Sequence, residues 1–189
     1  MEFKIEDFKL KPLVDGKFIK PSLATYKING ESRSWEVVKS YDSVAILIYN
    51  RDNNSFVCVK QFRPAVYAHL GDDGVTLELC AGLVDKNLTL EQIASEEVIE
   101  ETGYKVDAKE LIKIASFHTS VGFSGSKQHL YYVEVDNNRR VTQGGGVVGE
   151  EMIEVVEIPI SSAREFIYND NIVKTPGLMF AFEWFFKDK

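Results

Sequence analysis

Cysteine is scarce in this 189-residue chain: Cys58 and Cys80 sit in the apolar runs VCV and LELCAG, with no CxxC partner and no histidine close by. That distribution speaks against a disulfide framework or a catalytic pair, and for two buried, reduced thiols. Histidine is as sparse. His69, His118 and His129 form no Ser-His-Asp arrangement and no zinc spacing, so they are read as non-catalytic. No run of about 18 apolar residues exists, so no helical span of a bilayer is expected. The opening MEFKIEDFKLKPL alternates charged and apolar residues and lacks the apolar core of a signal peptide, which makes the cytoplasm the expected location. Basic charge is also in short supply, with 22 Lys and Arg against 29 Asp and Glu, for a net −7. A surplus of that sign argues against nucleic acid or an anionic membrane as the main partner. An acidic chain that handles phosphates needs local arginine, lysine or metal to offset its own field.

The content that remains is that of an ordinary globular protein, 44% hydrophobic and 27% charged, enough for one domain with an appendage. No internal repeat or low-complexity stretch interrupts it. Residues 1–39 are thinly apolar, with a loose lead-in KPLVDGKFIKPS and two short alternating runs around Asn29-Gly30, a strong hairpin signal. Two β-branched runs follow, SVAILIYN and SFVCVKQF, separated by the turn cluster Arg51-Asp52-Asn53-Asn54. QFRPAVYAHLGDDG reads as a loop and VTLELCAG as a strand. Leu111–Phe117 and Gln128–Val135 read as further strands around the loop HTSVGFSGS. DNNRRVTQGGGVVGEE is polar and glycine-rich, hence expected to be mobile. After the strand MIEVVEIPI, Ser162 with Glu165 is expected to cap a short helix, and a last helix begins near Gly177, its aromatics serving as core. Many strands with a central and a terminal helix predict an α+β fold, an α/β/α sandwich with a mixed central sheet.

Gly82 to Tyr104, GLVDKNLTLEQIASEEVIEETGY, is the stretch the rest is organised around. Thr89 and Gln92 can form a capping box, and Gly103 suits a left-handed C-terminal cap. At about 100° per residue, Leu90, Ile93, Ala94, Val98 and Tyr104 fall in one apolar arc. Glu97 and Glu101 fall inside that arc, with Glu100 at its edge. Burying unpaired carboxylates costs several kcal/mol, and neighbouring ones repel. Three remedies are open: protonation, pairing with arginine, or binding of hard cations such as Mg²⁺ or Mn²⁺.

Gly82, Glu97, Glu100, Glu101 and Gly103, at these separations, resemble the signature of the Nudix hydrolases. That pattern is a glycine, five residues, a glutamate, seven residues, then Arg-Glu-apolar-x-Glu-Glu-x-Gly-apolar. Val98 and Tyr104 fill its apolar positions. Leu88 stands where the first glutamate belongs and Glu96 where the arginine belongs, an arginine that in the family helps orient the metal-binding glutamates. KQFRPAVY, LELCAGLVD, SVGFSGS, GGGVVGEEMIEVVEIP and KTPG extend the resemblance to the UDP-sugar diphosphatase (UDP-glucose pyrophosphatase) branch, related to the ADP-ribose pyrophosphatases.

The resemblance implies a Nudix fold over residues 40–189, with residues 1–39 as a β-rich extension that forms a homodimer. It also implies Mg²⁺-dependent cleavage of a nucleotide sugar, UDP-glucose giving UMP and glucose 1-phosphate. Metal ligands by resemblance are Glu97 and Glu101, with Glu100 supporting or bridging and the carbonyl of Ala81 adding another. The general base comes from Glu151 or Glu150 behind the glycine run, with Glu151 favoured by register. Arg63 is the expected diphosphate clamp, Glu78 a polar contact near the metals, and Phe123 a ring that could stack on the base. ADP-ribose pyrophosphatase, giving AMP and ribose 5-phosphate, is a second reading; Ser120-Val121-Gly122 lacks the proline usual there and favours the first. A third, of another class, is a catalytically weak nucleotide-binding module, supported by Leu88 and Glu96.

Overall fold

The computed structural model describes residues 3–71, 74–147, 149 and 152–188. β1 (Lys20–Ile28) and β2 (Glu31–Lys39) pair antiparallel as a separate two-stranded sheet. Asn29 and Gly30 both take positive φ, 52° and 84°, the turn whose twist matches that of paired strands. The two β-branched runs form β3 (Ser43–Asn50) and β4 (Ser55–Phe62), hairpin-paired as expected. Beyond them come α1 (Pro64–Leu70), β5 (Val75–Glu78), β6 (Cys80–Leu83), α2 (Leu90–Glu97), β7 (Ile112–His118), β8 (Lys127–Val135), β9 (Ile153–Pro159), α3 (Ile160–Tyr168) and α4 (Pro176–Asp188).

Seven strands make the main sheet, in the order β5-β4-β3-β8-β7, with β6 also on β3 and β9 also on β4. The β3–β8 pair is parallel and the other pairs antiparallel, so the sheet is mixed. Both faces of β3 are covered, which is why its sequence is apolar without a break. Val44, Ile46 and Ile48 pack with Ile93, Ala94 and Val98 on the α2 side. Ala45 and Leu47 pack with Ala163 and Ile167 of α3 and Leu178, Ala181 and Phe182 of α4. The expected α/β/α sandwich is therefore present. The terminal aromatics are core, with Phe182 stacked 4.1 Å from Phe56 between ring centroids. Cys58 and Cys80 are free and buried, as expected.

Four expectations need correction. The stretch after Phe62 holds α1 where a loop was expected: Pro64 starts it, and Gly71 ends it in the left-handed region. VTLELCAG is two strands, because β3 and β4 pair only from Ile48↔Val57 to Asn50↔Ser55 and then separate. β5 stays on β4 while β6 crosses to β3, with Leu79 between them. Ser162 lies inside α3, not at its cap, and its hydroxyl donates back to the Pro159 carbonyl. The polar glycine-rich stretch is anchored near its start by a two-pronged Arg139–Glu110 ion pair, and further along by the Gly145 and Gly146 amides, which donate to the Glu101 and Glu100 carbonyls at 2.8 and 3.1 Å. Arg139 holds the Glu110 carboxyl down at about 2.

Candidate active site

The hop of the chain from β4 to β3 leaves an opening beside Ala81 and Gly82, and the glutamate helix closes one side of it. α2 begins with the capping box foreseen: Thr89 Oγ1 accepts from the Gln92 amide, and Gln92 returns a bond to the Thr89 amide. Its last turn does not continue as α-helix. From Val98 to Thr102 the backbone widens to a π-helical turn, and Gly103 ends it at φ 80°. Such a turn re-aims side chains out of the regular 3.6-residue spacing and is common at functional sites. Thr102 secures it by donating its hydroxyl to the Val98 carbonyl at 2.6 Å.

The wheel is confirmed for its apolar members: Ile93, Ala94, Val98 and Tyr104 are buried and Leu90 is half-buried. Its glutamates are graded. Glu101 is 3% exposed, Glu97 half-buried and Glu100 exposed. Glu101 Oε2 accepts the Ala81 amide of β6 at 3.0 Å. Burial pushes the Cys80 thiol well up, and the carboxylates of Glu101 and Glu97 push it further. Gly82 stands against Glu97 so closely that a Cβ there would overlap its Cγ, Cδ and Oε1. The glycine of the motif is thus needed for close approach, not for backbone conformation.

Glu97, Glu100 and Glu101 line one cleft of about 480 Å³ together with Ala81, Gly82, Arg63 and Glu78. Seven of the sequence-predicted positions are therefore brought together. Arg63 and Glu78, expected as separate contacts, are partners: Nε and Nη2 of Arg63 donate to the two Glu78 oxygens at 2.6 and 2.8 Å. Thr76 adds a third bond to Glu78. Pro64 and the Arg63 amide bond to the Gly74 carbonyl hold the Arg63 backbone extended, at φ −112° and ψ 104°.

Phe123 is not brought there. The Val38 amide bonds to its carbonyl and the Trp35 indole donates to Gly122, so the loop is held on the N-terminal hairpin. Phe123 lines a second recess with Trp35 and Val37, separate from the glutamates. Glu150 and Glu151 lie outside the described residues; Val147, just before them, lines the cleft. Sequence reasoning missed Lys86, Gln61 and Gln128, which also line it. For Lys86 the signal was an acid at position 96 in search of a partner. Among the described residues no three His, Cys, Asp or Glu side chains gather into a finished metal cage.

The NUDIX domain profile matches residues 39–172. Uridine diphosphate glucose pyrophosphatase NUDT14 of Bos taurus is 37% identical over 97% of this chain and 95% of its own length. The Mus musculus protein of the same name is 37% identical over 89% and 88%. A GDP-mannose pyrophosphatase of Cronobacter sakazakii is 38% identical over 87% and 86%. With the glycine-backed glutamate turn in place on one face of a mixed sheet, the chain belongs to the Nudix family.

Proposed function

We propose that the protein hydrolyses the diphosphate of a nucleoside diphosphate sugar, with UDP-glucose as first substrate and UMP and glucose 1-phosphate as products. The observation that carries this is the convergence of Glu97, Glu100, Glu101 and the Arg63–Glu78 pair on one cleft. The named relatives, which act on UDP-glucose and GDP-mannose, support the substrate class.

The donor set suits Mg²⁺, with Mn²⁺ as a substitute, because carboxylate and carbonyl oxygens are hard ligands. Glu97 and Glu101 would hold the ion, with Glu100 and the Ala81 carbonyl as further donors. When bound, it lowers the pKa of water and offsets charge on the phosphoryl oxygens. Arg63 binds the diphosphate through its planar guanidinium, and Glu78 fixes the plane in which it does so. Glu151, or Glu150, takes the proton from the attacking water. The glycine run that leads to them starts from a fixed point, since Gly145 and Gly146 hang on the carbonyls of Glu101 and Glu100.

A panel of UDP-glucose, GDP-mannose and ADP-ribose with Mg²⁺, scored by kcat/KM, tests the substrate. UDP-glucose is expected to lead. A lead for GDP-mannose keeps the reaction and changes the base and sugar, whereas a clear preference for ADP-ribose overturns the assignment.

Residues 1–39 are proposed as a dimer-forming extension of a domain over 40–189. Tyr26, Ile28 and Trp35 share one face of the hairpin and remain 42%, 53% and 56% exposed. A two-stranded sheet holds little stability by itself, so such a face gains by burial against a second copy. Light scattering is expected to give twice the chain mass, and Tyr26→Glu with Ile28→Glu to give the monomer. A wild-type monomer with full activity would remove this proposal.

A further inference from the structure

The segment that runs from β6 into the glutamate helix is joined to that helix at two points. One is steric, Gly82 against the Glu97 carboxyl. The other is ionic: Lys86 Nζ meets Glu96 Oε2 at 2.8 Å. Glu96 and Glu97 are neighbours on the last turn of α2, and Lys86 lies four residues beyond Gly82. The two contacts therefore close a small loop whose ends both face the cleft, since Gly82, Lys86 and Glu97 all line it. An acid at 96 and a base in the preceding loop reverse the charges of the motif noted above, and they move the loop partner from Leu88 to Lys86.

We infer that Lys86 is a positioning residue: by its ion pair with Glu96 it ties the last turn of α2 to the segment after β6 and so sets where the Glu97 carboxylate stands. This rests on the proposed hydrolysis at this cleft. Thermodynamic stability is a poor reason for the pair, because its side chains are 41% and 44% exposed and exposed pairs contribute little. Placement is the better one. Gly82 is held in β6 opposite Val44 of β3, so without the pair it is the last turn of α2 that could draw back and let the Glu97 carboxylate change rotamer. The segment after β6 is itself held, by the β6–β3 pairing and by the Val84 amide on the Asp42 carbonyl, so the ion pair restrains the last turn of α2 against a fixed partner. Lys86 also faces the cleft and could touch a phosphate directly, and a charge swap separates the two roles.

The test uses the full chain as Lys86→Glu, Glu96→Lys and the double swap. Mn²⁺ affinity without substrate is measured by calorimetry, beside kcat and KM on UDP-glucose. Each single reversal is expected to weaken Mn²⁺ binding and lower kcat about tenfold, with KM within about threefold. The double swap is expected to regain both to within about threefold of wild type, the signature of coupled partners. A double swap as impaired as Lys86→Glu, with the loss in KM, overturns the inference in favour of direct phosphate contact. Single variants indistinguishable from an active wild type overturn it while leaving the proposed function intact. A wild type that binds no Mn²⁺ and turns over no sugar nucleotide removes both.

Discussion

Glu97→Gln and Glu101→Gln are each expected to lower kcat on a sugar nucleotide about 10³-fold, equivalent to about 4 kcal/mol at the transition state. Glutamine keeps the shape and removes the charge that would hold a divalent ion. Glu100, exposed at the cleft edge, is expected to matter less, about tenfold as Glu100→Gln. Stability should move the opposite way. Glu101 is buried beside Glu97 and a neutral thiol, so neutralising it relieves desolvation and like-charge repulsion. The metal-free Glu101→Gln protein should therefore melt no lower than wild type, while the rise in Tm that Mn²⁺ gives by mass action should disappear. Glu91→Gln is the control: Glu91 is on the same helix but accepts from the Tyr131 hydroxyl outside the cleft, and glutamine can still accept. Full turnover in Glu97→Gln and Glu101→Gln would mean that these carboxylates serve the helix alone.

The parts of the fold legible in the sequence are those set by local rules. Asn29-Gly30 dictates its turn, Thr89 and Gln92 dictate the start of α2, and the unbroken apolar runs of β3 and β4 announce strands covered on both sides. What was not legible depends on partners distant in sequence. The break at Leu79 follows from the separation of β3 and β4, which nothing in VTLELCAG encodes. The helix α1 has seven residues and none buried, so it shows no periodicity to detect. Composition suggested that the glycine-rich stretch was free, yet its amides reach the Glu101 and Glu100 carbonyls at the end of the helical segment. The last carbonyls of a helix lack partners within it, and nothing local in the sequence shows which distant amides will satisfy them.

The site divides in the same way. The helical wheel picked out Glu97, Glu100 and Glu101, and the family signature added Gly82, because a helix turn and one close approach define them. The pairing of Arg63 with Glu78 needed the β4–β5 register, in which Val59 faces Glu78 and Phe62 faces Val75 at the strand end next to Arg63. Phe123 was expected as a ring that could stack on the base, but its loop is held by Val38 and Trp35 of the hairpin. No local pattern could show that capture.

Gly82→Ala is expected to lower kcat about 10²-fold while leaving the fold and its Tm nearly unchanged. The added methyl would occupy the space of the Glu97 carboxyl group, the mobile end of a flexible side chain. The backbone need not move, since Gly82 does not use the left-handed region, and the loss of a glycine reduces the freedom of the unfolded chain by about 0.4–1 kcal/mol. Folding thus loses little, whereas Glu97 must turn to another rotamer and leave its place beside Glu101. The decisive measurement pairs thermal melting with Mn²⁺ titration. An unchanged Tm together with lost Mn²⁺ affinity shows that the glycine keeps room for a ligand. A lowered Tm with turnover retained per folded molecule would show instead that it serves packing between β6 and the glutamate helix.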